Sequence, residues 1–132
     1  MTVFAPSSYA EVGQMLHDAL ELCTEGPALI RFPKTAPPDP GGGEVGSGLR
    51  ARVVREGDGT VCLVGVGKML QVARDAAERL AAAGTSASVW DPRVVKPLDA
   101  EMLHDLARHQ LVVTIEDGLR DGGVGSMIAD AL

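Results

Sequence analysis

LVVTIEDGLRDGGVGSMIADAL, residues Leu111 to Leu132, runs from an apolar segment through two acids and a glycine-rich turn into the opening of an apolar helix. Its first five residues are apolar or β-branched and bounded by turn formers, the pattern of a buried strand. Glu116 and Asp117 stand at the carboxyl end of that strand. Gly122, Gly123 and Gly125 then allow a tight passage into a helix predicted from near Ser126. Strand, glycine turn and helix in succession form the repeating unit of parallel α/β sheets, so the remaining chain is expected to supply neighbouring strands.

Upstream, Ala87 to Trp90 reads as another strand. Asp99 is placed to cap a helix through Arg108, with Met102, Leu103, Leu106 and Ala107 spaced for burial. Val61 to Val66 is more apolar than the segment before it and is expected at the sheet centre. Gly65 and Gly67 lead from it into a helix over Lys68 to Ala83, which Gly84 ends. Arg50 to Arg55, separated from Val61 by the Gly57-Asp58-Gly59 turn, is predicted to pair with it closely, as in a hairpin. This alternation predicts an α/β fold, a mainly parallel sheet with flanking helices over residues 49–132, with a further strand expected beyond Leu132.

Residues 1–34 form a smaller unit. Thr2 to Ala5 is β-prone, and Ser8 with Glu11 has the spacing of a capping box. Val12, Met15, Leu16, Ala19, Leu20 and Cys23 make one apolar helical stripe, from which Glu11, His17, Asp18 and Glu21 point away. Ala28 to Phe32 completes a β-α-β remnant. Between the two units, TAPPDPGGGEVGSG at 35–48 holds three prolines and five glycines and is predicted to be a flexible linker. No GK[ST] follows its glycines, which disfavours a phosphate loop.

The chain has 132 residues, 45% hydrophobic and only 3% aromatic, so an aliphatic core of Val, Leu and Ala is expected. The net charge of −6 argues against a nucleic-acid surface. No apolar run reaches the ~18 residues of a membrane span, and the start lacks an export signal, so a cytoplasmic protein with no membrane partner is expected. Cys23 and Cys62 lack paired spacing and read as free thiols.

Few residues suggest chemistry. His104 and His109 lie five apart on one helix, which does not place them on one face, and no metal site is predicted. GVGKML carries two glycines of a dinucleotide fingerprint but puts Leu70 at the third, so close packing of helix on strand is the preferred reading. Glu116 and Asp117 lie where open α/β sheets bind ligands, although carboxylates there also favour a following helix N-terminus. No catalytic residue can be named from residue chemistry alone.

The ordered segments APSS, RFPK, GVGKM, DPRVVKPLD and EDGLRDGGVGS carry a resemblance to the C-terminal third of the transketolase-like thiamine-diphosphate enzymes, and among them to the synthases of 1-deoxy-D-xylulose 5-phosphate. The resemblance implies a transferase that condenses pyruvate with glyceraldehyde 3-phosphate, losing carbon dioxide, for isoprenoid and thiamine biosynthesis. It implies thiamine diphosphate and magnesium in a dimeric enzyme, held by segments without counterparts here. This chain alone is thus expected to bind neither and to be inactive. Residues 1–34 would be the tail of the pyrimidine-binding domain, and 49–132 the C-terminal domain. The substrate-phosphate contact of the family matches Lys34 in RFPK, where lysine and Thr35 replace the usual Arg-Gly. Arg31 matches the motif's first basic residue. Alternatives are a fragment of a transketolase, the beta subunit of a 2-oxo-acid dehydrogenase, or a stand-alone interaction module. Partners expected are a second copy or the missing N-terminal domains, because unit 1–34 has too few strands to cover its apolar helix.

Overall fold

The computed structural model describes residues 1–34 and 44–132. Its elements are β1 (Thr2–Phe4), α1 (Tyr9–Leu22), β2 (Ala28–Ile30), β3 (Arg52–Arg55), β4 (Val61–Gly65), α2 (Leu70–Ala82), β5 (Ser88–Asp91), β6 (Val94–Lys96), α3 (Ala100–Leu106), β7 (Leu111–Ile115) and α4 (Val124–Ala131). A 3₁₀ turn at Gly67–Met69 enters α2.

The larger sheet has the order β3-β5-β4-β7. The apolar β4 is central and runs parallel to both β5 and β7, with Cys62 opposite Ser88 on one side and Val112 on the other. Alternate residues of a strand face opposite sides. Cys62, Val64 and Trp90 accordingly pack with Met102, Leu106 and Ile128 beneath α3 and α4. Leu63 and Val89 pack with Leu70, Ala73 and Ala77 beneath α2. At Gly65 the start of α2 lies close against the sheet: a Cβ there would stand 2.6 Å from the Leu70 Cα. The packing role expected of this glycine is thus visible in the geometry.

The predicted pairing of β3 with β4 does not form. β3 lies antiparallel on β5, with Arg52 opposite Asp91 and Val53 opposite Trp90. The connecting turn explains the difference. Gly57 N donates to Ser88 Oγ at 3.1 Å and Asp58 N to the Ser86 carbonyl at 3.0 Å, which seats the turn on the start of β5. Both edges of β4 are already taken by parallel neighbours.

The second sheet has the order β2-β1-β6. β1 and β2 are parallel, as expected of a β-α-β remnant, and β6 adds antiparallel to β1 with Phe4 opposite Val94. The third strand is contributed by DPRVVKPLD, so the N-terminal unit finds cover within its own chain: Phe4, Met15 and Val94 are wholly buried together. Leu16, Leu20 and Leu29 stay exposed.

Arg93 joins the two sheets. It is fully buried, and its Nε donates to Glu11 Oε2 at 2.8 Å. Its Nη1 donates to the carbonyls of Ser47, Gly48 and Arg50 at 3.2, 3.2 and 2.8 Å. Asp18 Oδ2 lies 3.7 Å from Nη2. Two expectations are corrected by this network. Glu11 and Asp18, read as pointing away from the packed face of α1, are buried. Ser8 does cap α1, accepting from Glu11 N at 3.3 Å, but the Glu11 carboxylate is turned to Arg93 and to Gly46 N at 2.9 Å. The predicted linker lies outside the described residues from 35 to 43. Its last part carries no regular element, and Ser47 and Gly48 are anchored by the guanidinium. The Asp91 carboxylate accepts from Arg93 N at 3.1 Å and Ser7 Oγ at 2.7 Å, while burial pushes its pKa up.

Both cysteines are free thiols. Cys62 is wholly buried in β4, and burial, reinforced by the Asp105 charge, pushes its pKa up to about 12. A thiol reacts through its thiolate. Titration with a thiol reagent at pH 8 is therefore expected to consume one equivalent promptly, at the partly exposed Cys23, and the second only after denaturant is added. Two equivalents consumed at one rate in the folded protein would contradict the buried setting of Cys62.

Candidate functional site

Three strands deliver their carboxyl ends to one place, β4 and β7 parallel in the larger sheet and β2 from the smaller one. β2 leads into RFPK at 31–34, β4 leads through Val66 into Gly67 and Lys68, and β7 leads into Glu116 and Asp117. Along the larger sheet the strand order reverses at β4, because β5 follows it on one side and β7 lies on the other. A crevice opens outside the strands at such a switch point, and ligands of open α/β sheets bind there. Here it is a cleft of roughly 170 Å³, with Arg31, Lys34, Lys68 and Asp117 on its walls beside Pro6 and Phe32.

Among the described residues the cleft is cationic, with three positive side chains against one carboxylate, although the whole chain carries −6. Asp117 bridges two of them: Oδ1 lies 3.0 Å from Arg31 Nη2 and Oδ2 lies 2.9 Å from Lys68 Nζ. The hydrogen bond from Lys68, followed by that from Arg31, holds the Asp117 carboxyl below the usual carboxylate range. It is therefore ionised throughout the neutral range. Stability drawn from these contacts is present above the ordinary aspartate pKa and lost as pH falls through the lowered one.

Glu116 serves a different purpose. Its two oxygens accept from Val124 N and Gly125 N at 3.0 and 3.1 Å, which satisfies the opening of α4 with a carboxylate at its positive end. A side chain on Gly123 would run into this carboxylate and the Leu119 carbonyl. The two adjacent acids thus diverge, Glu116 to the helix and Asp117 to the cleft.

Of the residues singled out in the sequence, Lys34, Arg31 and Asp117 come together, and Glu116 does not face the cleft. Lys68 was missed as a site residue, since GVGKM drew attention only through its glycines. The available signal was a cation three residues beyond the carboxyl end of the central strand. The histidines lie elsewhere. His17 is 3.5 Å from Glu21 on the exposed face of α1. His104 is exposed on α3. His109 bonds to the Ser88 hydroxyl and the Asp105 carbonyl, each at 3.0 Å, at the opposite end of β5 from the cleft.

Among the described residues, no group of three or more His, Cys, Asp or Glu is placed to hold a metal ion. The cleft's described donor set also does not fit a magnesium-bound diphosphate, because Asp117, its one carboxylate among the described residues, is already engaged by two cations. Its cations suit an anionic ligand better than a metal ion. No helix among the described residues is long and apolar enough to cross a membrane.

Comparison with known proteins identifies the family. Residues 49–132 match the family model "Transketolase, C-terminal domain". A 1-deoxy-D-xylulose-5-phosphate synthase of Anaeromyxobacter sp. (strain K) is 42% identical over 99% of this chain and 21% of its own length. That of Chlorobium luteolum is 39% identical over the whole chain, again 21% of its length. The chain thus spans about a fifth of the curated relatives it matches. A solved structure described as a split gene transketolase, an inactive beta4 tetramer, superimposes with a TM-score of 0.89 at 35% identity, covering all of this chain and 43% of that one.

Proposed function

The chain belongs to the transketolase C-terminal domain family, and from that premise we propose that it is the C-terminal part of an enzyme that condenses pyruvate with glyceraldehyde 3-phosphate to 1-deoxy-D-xylulose 5-phosphate. The observation that carries the proposal is the cationic cleft at the switch point, built from RFPK and the GVGK turn in a chain alignable throughout with these synthases. One product and one substrate of that reaction bear a phosphate, and Lys34 with its neighbours offers positive charge to it.

The synthases of this family depend on thiamine diphosphate, which would supply the carbon–carbon bond-forming chemistry from segments outside this chain. The described residues do not fit that group. This chain's own part is to receive the phosphate end of the aldehyde and hold it while the chemistry proceeds on residues elsewhere. Positioning of this kind lowers the barrier by fixing the reacting ends, so a site remote from the bond being made still affects rate.

A separately encoded arrangement is favoured as a second reading by the likeness to the split gene transketolase. In that case the remaining segments come from another polypeptide, and the exposed Leu16, Leu20, Leu29 and Phe32 supply apolar surface for the association.

The test is a product assay. The chain alone is expected to give no 1-deoxyxylulose 5-phosphate from pyruvate and glyceraldehyde 3-phosphate, and no saturable thiamine diphosphate binding in calorimetry with magnesium. Fused to, or mixed with, the upstream four fifths of the Anaeromyxobacter synthase, it is expected to give product. Product from the chain alone, or none from the fusion when the parent synthase is active, would count against the proposal.

A further inference from the structure

Among the described residues, Asp117 is the one carboxylate on the walls of the cleft, and it touches both units that build it. Arg31 belongs to the N-terminal unit and directly precedes Phe32, Pro33 and Lys34. Lys68 belongs to the turn after the central strand of the larger sheet. Segment 31–34 has no regular structure of its own. It is anchored at its start by the bond from Arg31 N to the Phe4 carbonyl at 2.9 Å and by the Arg31 guanidinium on Asp117 at 3.0 Å. Asp117 itself is well placed to serve as an anchor, because its neighbour Glu116 is fixed by two backbone bonds from α4.

Resting on the phosphate reading of the cleft given above, we propose that Asp117 is a positioning residue for substrate: it ties Arg31 to Lys68 across the cleft and thereby sets where Lys34 meets the phosphate. The carboxylate acts through the lysine and need not touch the substrate. Removing it frees two long cationic side chains, each about half exposed, whose rotamers are otherwise restricted. The loop start then retains the single backbone bond to Phe4.

Five forms of the enzyme assembled from this chain and the upstream synthase segment test the assignment: unaltered, Lys34→Ala, Asp117→Asn, Asp117→Glu and the double variant of Lys34→Ala with Asp117→Asn. Asp117→Asn is expected to raise KM for glyceraldehyde 3-phosphate about fivefold, with kcat and the pyruvate KM unchanged. The double variant is expected to be no worse than Lys34→Ala alone, because the two residues act in series. Asp117→Glu is expected to restore most of the affinity. If Lys34→Ala leaves the aldehyde KM unchanged, the phosphate reading itself fails. If Lys34→Ala raises it but Asp117→Asn does not, or the two effects multiply in the double variant, the positioning role alone is overturned. A second measurement on the isolated chain decides independently of activity. Hydrogen exchange at the Arg31 amide is expected to quicken about tenfold in Asp117→Asn, with β4 and β7 unaffected. Unchanged exchange at Arg31 overturns the assignment.

Discussion

Replacing Arg93 by methionine is expected to destabilise the chain by about 3–5 kcal/mol, the cost of removing one partner from a buried ion pair. The attraction within the network is not the source of most of that cost. Glu11 is wholly buried and Asp18 nearly so, and without the guanidinium both carboxylates remain away from water with no cation. The carbonyls of Ser47, Gly48 and Arg50 lose their donor as well. A domain of this size commonly has about 5–15 kcal/mol of stability, so the variant would fold marginally. Urea denaturation followed by circular dichroism measures the loss. The arms of the network should differ, since Glu11 makes a 2.8 Å bond while Asp18 Oδ2 and Arg93 Nη2 have no hydrogen-bond partner among the described residues. Glu11→Gln is therefore expected to cost more than Asp18→Asn. A loss below about 1 kcal/mol for Arg93→Met would mean that the network does not hold the two sheets together.

The same network marks the limit of what the sequence conveyed. The strand–turn–helix of 111–132, the central β4, the helix after GVGK and the Asp99 cap were all legible, because each is set by local periodicity and turn chemistry. Asp99 accepts from Glu101 N at 2.8 Å, as its position before an apolar helix suggests. What could not be read locally was which strands would be neighbours across the two units. No element is assigned to DPRVVKPLD from its sequence, yet Val94–Lys96 supplies the edge strand of the smaller sheet. Its arginine is φ-positive at 55° and fully buried, against every local preference for that residue type. Glu11 likewise matched a local rule, the capping box, and was claimed instead by a partner 82 positions away.

The cleft was legible in part for the same reason. Carboxyl ends of parallel strands can be located from the strand assignments alone, which is why Glu116 and Asp117 were singled out together. Only the geometry separates them, since neighbouring side chains at a strand end diverge. Lys68 became a site residue when the switch point between β4 and β7 was known, and strand order is not written in any one segment. Lys34 was singled out by resemblance rather than by any local signal, and it lies in the cleft beside Lys68 and Asp117.

Lys34→Ala should produce the largest functional effect of any single substitution in this chain that leaves it folded. The side chain is exposed and lies outside the packed clusters, so its loss is not expected to disturb the fold. A hydrogen bond to a charged group contributes about 1.5–3 kcal/mol, which corresponds to roughly 10- to 150-fold in affinity for the phosphate. Lys34→Arg is the informative companion. The guanidinium can grip a phosphate bidentately, so this variant is expected to bind the phosphorylated aldehyde at least as well as the lysine form.

The most direct measurement is the pair of Michaelis constants of the assembled synthase before and after Lys34→Ala. The cleft as a phosphate site predicts a rise in KM for glyceraldehyde 3-phosphate of about tenfold or more, with the value for pyruvate, which carries no phosphate, unchanged. An equal rise for both substrates, or no change in either, would contradict it.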